Sequence, residues 1–269
     1  MSAGVRHEGA DAELFTARVT ELAERSGRGQ ITVGDFMSPG EICTAERILD
    51  RGGYGGRYAF FGGYANAERA RLVCLPDYML YDGAPLYDIA ADVCADEVVV
   101  LYISGSGYKT LSHRDFMGAI LALGIKRHVI GDIIVDEDGC GAHVVCDAKI
   151  AAFIAESLSK IGSDTVSVRE AALPRDFRAV RKTEPISDTV ASMRADCIVP
   201  ALIRCSREHA KELITAGLVD VNYETWTKPD AALSEGDVIS VRGEGKFTIV
   251  KVDGMTRRGR LRLIAEKYI

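Results

Sequence analysis

Residues 97–169 contain an ordered succession of strand-like and helix-like segments, and this order limits the possible fold more than any other feature of the chain. Ser112 and Asp115 form a capping box that starts one helix, and Asp147 caps a second helix. Four apolar runs typical of strands surround these helices, at 97–103, 129–135, 142–146 and 165–169. The resulting order, β-α-β-β-α-β, predicts an α+β domain with a ferredoxin-like sheet, the arrangement that RNA-recognition motifs also use.

The flanking sequence predicts two further regions. On the N-terminal side, helices are expected at 11–25 and from the capping box of Ser38 and Glu41 to Gly52, followed by a Gly/Tyr-rich stretch and a short strand at 71–75. On the C-terminal side, two helices at 189–205 and 206–216 precede strands at 218–222, 238–242, 246–252 and 260–265. The predicted layout is an N-terminal helical and Gly/Tyr-rich region at 1–90, a ferredoxin-like domain at 91–172, a linker at 173–187 and a C-terminal α/β domain at 188–269.

Composition narrows the class of protein. With 47% hydrophobic residues, the chain of 269 residues can bury a substantial core. It contains no apolar run of eighteen residues, and Met1–Ala10 lacks the apolar segment of a signal peptide, so we expect a cytoplasmic protein with no membrane partner. The seven cysteines form no Cys-x-x-Cys pair, and His143 has no second cluster that would complete a zinc site. We therefore expect free thiols and no metal.

Charge is distributed unevenly along the chain. The net charge is −6, and residues 1–187 hold 20 basic against 27 acidic residues, whereas residues 242–269 hold 8 against 3. Phosphate binding depends on the local field, so a basic surface can exist on an acidic chain. The asymmetry directs the search for a nucleic-acid site to the C-terminal domain.

The two C-terminal helices carry the best candidates for RNA contacts. Ser206 is placed to cap the second helix, whose free N–H groups favour a phosphate, and Arg207 and Lys211 share one face of that helix. Such a surface would read RNA by its shape and backbone. The predicted RNA-binding residues of this domain are Arg194, Arg204, Ser206, Arg207, Lys211, Asn222, Arg242 and Lys246.

The segment from Ser192 to Arg242 resembles the RNA-binding domain named after small-subunit ribosomal protein four, here called the S-four domain. The resemblance depends on four motifs: Arg194-Ala195-Asp196, Cys205-Ser206-Arg207, residues 213–222 from Leu213-Ile214 to Val221-Asn222, and Gly236-Asp237-x-Ile239. Tyr223 stands where the S-four pattern has a glycine, which changes the turn.

The whole chain resembles the YlmH family of bacterial S-four-domain proteins over residues 10–269. The resemblance rests on residues 60–69 (Phe-Phe-Gly-Gly-Tyr-x-Asn-Ala-Glu-Arg), on 111–118 around His113, on 123–127, and on Gly131-Asp132-Ile133. It implies binding to ribosomal RNA and transfer RNA on the large ribosomal subunit, in the rescue of stalled nascent chain–tRNA complexes. It also implies genes found at cell-division loci.

The middle domain is a weaker candidate for RNA contact. RNA-recognition motifs stack bases on strand aromatics, and the third strand, residues 142–146, contains no Phe, Tyr or Trp. We therefore expect any RNA contact here to use a different set of side chains, namely His113, Arg114, Lys126 and Arg127. His113 can equally serve only as the first residue of a helix.

No catalytic residue, cofactor or small-molecule substrate is predicted. Residues 105–110 lack both the Gly-x-Gly-x-x-Gly spacing and the Gly-Lys pair of a phosphate-binding loop, and Asp115 and Asp132 are expected in a cap and a turn. Two alternatives to a non-catalytic RNA-binding factor stay open. One is an RNA-modifying enzyme with a divergent active site in residues 90–170, and the other is a partner of the division machinery.

Overall fold

The computed structural model describes residues 4–80, 83–174, 177–179, 183–256 and 259–268. Helices and antiparallel sheets occur together in the chain, so the predicted α+β class is confirmed. The chain forms two compact units, Met1–Ala179 and Val180–Ile269. The regions expected at 1–90 and 91–172 both belong to the first unit. Within the described ranges, no helix has the length and apolar character needed to cross a membrane.

The first part of the N-terminal unit packs three helices around a small sheet. The Ser38 capping box forms as predicted, with Glu41 N donating to Ser38 Oγ and Ser38 N donating to Glu41 Oε2. The sheet has the order β1-β3-β2 and is antiparallel throughout. The elements are α1 (Gly4–Gly27), β1 (Thr32–Met37), α2 (Pro39–Arg51), β2 (Tyr58–Phe61), β3 (Ala70–Cys74), a 3-10 turn (Asp77–Met79) and α3 (Leu86–Val93).

The rest of the unit has the β-α-β-β-α-β order. Its elements are β4 (Val98–Ser104), α4 (His113–Ala122), a 3-10 turn (Arg127–Val129), β5 (Ile130–Val135), β6 (Gly141–Asp147), α5 (Ala148–Ser157) and β9 (Ser167–Ala171). A two-stranded hairpin that the sequence did not predict, β7 (Lys160–Ile161) with β8 (Asp164–Thr165), lies between α5 and β9. The sheet order is β5-β6-β4-β9, and every neighbouring pair is antiparallel. The first and third strands of the pattern, β4 and β6, are therefore the two central strands.

The two faces of this sheet are covered differently. One face carries Leu101, Ile103 and Val144 into a core shared with Phe116 and Ile120 of α4 and with α5. On the opposite face, the end of the sheet near Val100 and Val145 packs against Phe36, Tyr64 and Phe177. The alternation of side chains along a strand places odd and even residues on opposite faces, so the even-numbered residues of β4 belong to this second face.

The C-terminal unit places two short helices against one six-stranded antiparallel sheet with the order β10-β15-β14-β13-β11-β12. Its core joins Ile198, Leu202 and Ile214 of the helices to Phe247 and Leu263 of the sheet. The elements are β10 (Thr183–Val190), α6 (Ala195–Ile203), α7 (Arg207–Thr215), β11 (Val219–Val221), β12 (Glu224–Trp226), β13 (Val238–Val241), β14 (Gly245–Met255) and β15 (Leu261–Tyr268).

Two predictions for the start of this unit are wrong. The sequence predicted that the linker extends to Ser187 and that a helix starts at Thr189, whereas Thr183–Val190 is strand β10 and the helix begins at Ala195. All eight residues of β10 pair with β15. Pro185 suggested a linker because proline cannot donate to a sheet, but β10 is an edge strand, where proline is tolerated.

Candidate nucleic-acid interface

A buried carboxylate between two arginines lies at the start of the helix pair. The Asp196 side chain is completely buried, whereas those of Arg194 and Arg207 are 46% and 48% exposed. Arg194 Nε donates to Asp196 Oδ1 at 3.0 Å, and Arg207 donates to Oδ2 through Nε at 3.1 Å and through a terminal nitrogen at 2.7 Å. Arg194 and Arg207, two of the predicted contact residues, are thereby held side by side at the surface. We call Arg194, Asp196 and Arg207 the arginine clamp.

Backbone hydrogen bonds explain why α6 begins at Ala195, directly after the first arginine of the clamp. Arg194 is the N-cap residue and provides no side-chain cap. The free N–H groups of Ala195 and Asp196 instead donate to the carbonyls of Ala231 and Pro229, at 2.9 and 2.8 Å. Helix N-termini must satisfy such donors, and here a neighbouring loop does so. The loop therefore fixes the position of Asp196.

The ionisation of the clamp follows from its contacts. Burial alone would raise the pKa of Asp196. The hydrogen bonds and charges of Arg207 and Arg194 outweigh this effect, so the pKa lies below its ordinary value. The hydrogen bond to Asp196 in turn raises the pKa of Arg207. The Asp196 carboxylate and the Arg207 guanidinium are therefore both charged at neutral pH.

Arg204, Ser206 and Lys211 lie near the clamp along the chain. Arg204 ends α6 in the left-handed conformation with φ of 56°, and it is exposed. Ser206 caps α7 by accepting from His209 N at 3.2 Å, as predicted, which uses one of the N–H groups expected to face a phosphate. Lys211 is exposed on α7, one turn after Arg207. The helix pair thus presents basic residues on both sides of the Cys205-Ser206 junction.

Asn222 has a structural role in the turn between β11 and β12. Its Oδ1 accepts from Val238 N at 2.9 Å, and its Nδ2 donates to Asp237 Oδ1 at 2.8 Å. Asn222 and Tyr223 form a two-residue hairpin turn with φ values of 50° and 66°. Positive φ is rare for a bulky residue such as tyrosine, and this explains the glycine in the S-four pattern.

The Tyr223 ring contacts another predicted residue. Lys246 Nζ lies 5.1 Å from the centre of the Tyr223 ring and 5.0 Å from that of Tyr268, and it donates to the Tyr223 hydroxyl at 3.2 Å. Arg242 follows β13 and is exposed. Tyr223 was not expected from the sequence to make a contact. The presence of a tyrosine at a turn position where the S-four pattern has glycine could have indicated such a contact.

In the first unit, the charge of one predicted residue, Arg127, acts on another, His113. Burial lowers the pKa of His113, and the charge of Arg127 lowers it further. Burial and the charge of Arg69 lower the pKa of Arg127 to about 10. A terminal nitrogen of Arg69 donates to the carbonyl oxygen of Arg127 at 3.2 Å. Arg114 and Lys126 are exposed.

Asp132 joins two of the motifs on which the YlmH resemblance rests. It was expected in a turn but lies in strand β5, because the turn begins only after Val135. Its carboxylate accepts from the Tyr64 hydroxyl at 2.6 Å, from Glu68 N at 2.7 Å and from Arg69 N at 2.9 Å. Asp132 therefore anchors the loop 62–69 to the sheet. Asp115 is in the cap of α4, as predicted.

The outer face of the central strands carries an aromatic cluster that the sequence did not predict. Tyr102 of β4 and His143 of β6 are direct partners, with ring centres 4.8 Å apart. The guanidinium of Arg169, the partner of Tyr102 on β9, lies 4.8 Å from the Tyr102 ring centre. His143 was missed because only Phe, Tyr and Trp were considered on the third strand, although histidine rings also stack on bases.

No described part of the chain gathers three or more His, Cys, Asp or Glu side chains around a possible metal ion. All seven cysteines are free. Cys146 lies on the same strand as His143 but faces the buried core, and burial raises the pKa of its thiol to about 12. A thiol must lose its proton to bind a metal, so this one is a poor ligand.

Comparisons with known proteins give the following similarities. Residues 97–175 match the family model described as a putative RNA-binding domain in YlmH. The chain is 29% identical over 271 residues to the ribosome-associated protein quality control protein P2 of Bacillus subtilis, with 99% of each chain covered. The solved structure of cell division protein ylmH from Streptococcus pneumoniae aligns with 64% of this chain and 93% of its own, at 21% identity and a TM-score of 0.43.

The matched segment begins one residue before β4 and contains the whole β-α-β-β-α-β sheet with both of its helices. The similarity to the Bacillus protein extends over both units. The resemblance to the YlmH family that the sequence motifs predicted is therefore confirmed.

Proposed function

We propose that this protein is a non-catalytic RNA-binding factor that binds ribosomal RNA and transfer RNA on the large ribosomal subunit, in the rescue of stalled nascent chain–tRNA complexes. The observation that carries the proposal is the arginine clamp. A buried aspartate that holds two half-exposed guanidinium groups side by side provides a rigid, positively charged surface.

The clamp leaves donors for RNA. An arginine side chain has five N–H donors, and Arg207 directs only its Nε and one terminal nitrogen at Asp196. One guanidinium group can donate two parallel hydrogen bonds to the oxygens of a phosphate, and this suits the backbone of a folded RNA. Arg204, Lys211 and Arg242, all exposed, extend the basic surface.

The ribosomal part of the proposal comes from relatives. The Bacillus protein is named for ribosome-associated protein quality control, and the similarity spans 99% of both chains. An alignment of that extent favours a shared role, with ribosomal RNA and transfer RNA as partners and the cytoplasm as the location.

The proposal of a non-catalytic role has its own support. Asp115 and Asp132 are the acidic residues in the family motifs of the middle domain, and both make structural hydrogen bonds. Asp115 caps α4, and the Asp132 carboxylate accepts three hydrogen bonds from the loop 62–69. A catalytic carboxylate needs an oxygen that is free to meet its substrate.

The test is binding of purified protein to large ribosomal subunits, measured by sedimentation over a range of salt concentrations. We expect Arg207→Ala with Lys211→Ala to weaken binding several-fold to tenfold for each phosphate that is no longer bound, and to flatten the dependence on salt. Lys211→Ala is also measured alone, because Lys211 lies outside the clamp and its removal leaves the bonds to Asp196 intact.

A matched control removes two exposed lysines from the first unit, Lys149→Ala with Lys160→Ala, and changes the net charge equally. We expect this control to bind with an unchanged salt dependence. Equal binding by both double variants would show that the S-four surface is not the RNA-binding surface.

A further inference from the structure

The aromatic cluster of the middle domain lies on the two central strands of the sheet, on the face that α4 and α5 do not cover. Tyr102 and His143 belong to β4 and β6, the two inner strands, and Arg169 lies on β9 next to them. All three side chains point away from the face that α4 and α5 cover. Farther along the same face, Val100 and Val145 are packed under Phe36, Tyr64 and Phe177, so the cluster occupies the uncovered end.

The cluster is held in a defined geometry. The Tyr102 hydroxyl donates to Asp136 Oδ2 at 2.8 Å, and the His143 ring is tilted by 51° to the Tyr102 ring. Gly141 lies beside them on β6. A Cβ at that position would come within 2.5 Å of the Tyr102 hydroxyl oxygen and 2.7 Å of Asp136 Oδ2. The absence of a side chain at Gly141 thus leaves room for the Tyr102 hydroxyl and its partner Asp136.

The cluster also remains accessible. Arg169 is exposed, Tyr102 is half-buried, and 26% of the His143 side chain is exposed. An aromatic ring beside a guanidinium offers two flat surfaces of the kind on which nucleobases stack.

We propose that Tyr102, His143 and Arg169 form a stacking platform that binds a nucleobase of single-stranded RNA. The proposal rests on the RNA-binding function proposed above and names a second contact site for it. RNA-binding sheets of this topology stack bases on aromatic side chains of their strands, and Tyr102 and His143 occupy the two inner strands of such a sheet. All three residues lie within the segment that matches a putative RNA-binding domain.

The surrounding charges decide which part of the RNA meets the platform. Asp136, Glu137 and Asp138 form the turn that borders Tyr102, and a phosphate placed there would be repelled. A neutral base is not repelled, and its amino groups can donate to carboxylates. The RNA backbone is therefore expected on the side of Arg169, at the β9 edge.

The proposed platform differs from the expectation that any RNA contact of this domain uses His113, Arg114, Lys126 and Arg127 and not a stacking sheet. That expectation came from the absence of Phe, Tyr and Trp in residues 142–146, taken one strand at a time. The pairing of β4 with β6 brings a tyrosine from one strand and a histidine from the other into contact. Such a pair is visible only when the register of the strands is known.

The test uses the full-length chain and a ten-nucleotide unstructured RNA of mixed sequence that contains 2-aminopurine, whose fluorescence falls when the base stacks. We expect the wild type to quench the fluorescence, and Tyr102→Leu to abolish the quenching and bind about five- to a hundredfold more weakly. Tyr102→Phe keeps the ring and should bind within about twofold of the wild type, on the same basis. The same sequence in a duplex should not be quenched.

Two further variants make the result independent of the folding of Tyr102→Leu. Arg169→Gln changes an exposed side chain and should weaken binding several-fold by removing the stacked guanidinium. Tyr108→Leu, a substitution of a tyrosine that is 94% exposed in the same unit, should leave binding unchanged.

The outcomes separate this proposal from the proposed function. Oligonucleotide binding that is independent of Tyr102 and Arg169 would overturn the platform, and so would a wild type that binds large subunits but not the oligonucleotide. In both cases binding of large subunits through Arg207 and Lys211 would leave the proposed function standing. Failure of the wild type to bind either RNA would remove both.

Discussion

A carboxylate without exposed surface, Asp196, lies between two arginines whose side chains are about half exposed. Such a group is stable only while its partners remain, because an isolated charge in the protein interior has lost its hydration. The cluster orients Arg194 and Arg207 and at the same time makes the start of α6 dependent on them.

We therefore predict that Asp196→Asn lowers the free energy of unfolding of the C-terminal unit by about 2–4 kcal/mol, since it leaves two guanidinium groups without their carboxylate. The measurement is urea unfolding followed by the fluorescence of Trp226, the single tryptophan, which lies in this unit. An unchanged midpoint would mean that solvent replaces the carboxylate at no cost.

The pH dependence of this unit follows from the same residue. The folded pKa of Asp196 lies below its ordinary value, so its ion pairs stabilise the fold above about pH 4 and the contribution is lost as the pH falls through the lower folded pKa. The wild type should lose stability more steeply than Asp196→Asn below about pH 4. Parallel curves would contradict the assignment.

Tyr223 allows backbone strain to be separated from side-chain contact. Its φ is 66°, and its ring contacts Lys246. Tyr223→Ala keeps the strained backbone and removes the ring, whereas Tyr223→Gly removes both strain and ring. We predict that the glycine variant is more stable than the alanine variant by about 1 kcal/mol, measured by urea unfolding. Equal stabilities would indicate that the turn changes its shape in the alanine variant.

At the scale of elements, the helices of this chain begin where local sequence specifies. Ser112 N donates to Asp115 Oδ2 at 2.8 Å and Asp115 N donates to Ser112 Oγ at 3.4 Å, which completes the capping box of α4. We predict that Ser112→Ala destabilises the first unit by about 1 kcal/mol, measured by thermal unfolding. Ser157→Ala, at the exposed last position of α5, is the control and should change stability by less than half of that.

Strands were harder to predict than helices. Strand β10 contains Pro185 and only short apolar stretches, and its structure comes from eight pairs with β15, more than seventy residues later in the chain. Strand β1 lacks the alternation of apolar and polar residues that predicts a strand. It also contains Gly34, where a side chain would crowd Leu22 of α1. Such strands are stabilised by partners distant in sequence, which no local pattern contains.

At the scale of the molecule, each compact unit has its own hydrophobic core. Separate hydrophobic cores in the two units predict unfolding that departs from a single transition. We expect Asp196→Asn to shift the transition seen by Trp226 fluorescence and to leave the larger part of the helical signal in circular dichroism unchanged. A common shift of both signals would mean that the units unfold cooperatively.

Local sequence was enough to predict the α+β class, the β-α-β-β-α-β order, the capped starts of α2, α4, α5 and α7, and the resemblance to the YlmH family. Each of these depends on residues close together in the chain or on motifs in a fixed order. It also identified Arg194 and Arg207 as candidate RNA contacts. The place of Arg207 beside the cap residue Ser206 is a local property, whereas Arg194 was expected inside a helix and proved to be the residue before its start.

Which side chains meet became known from the packing of segments that are distant in the sequence. It placed Asp196 between the two arginines, joined Asp132 to the loop 62–69 and set Tyr102 beside His143. The physical reason is that strand register and helix packing are set by burial and pairing between distant segments, which depend on the whole chain. The clamp and the stacking platform are products of that pairing, although every residue in them is visible in the sequence.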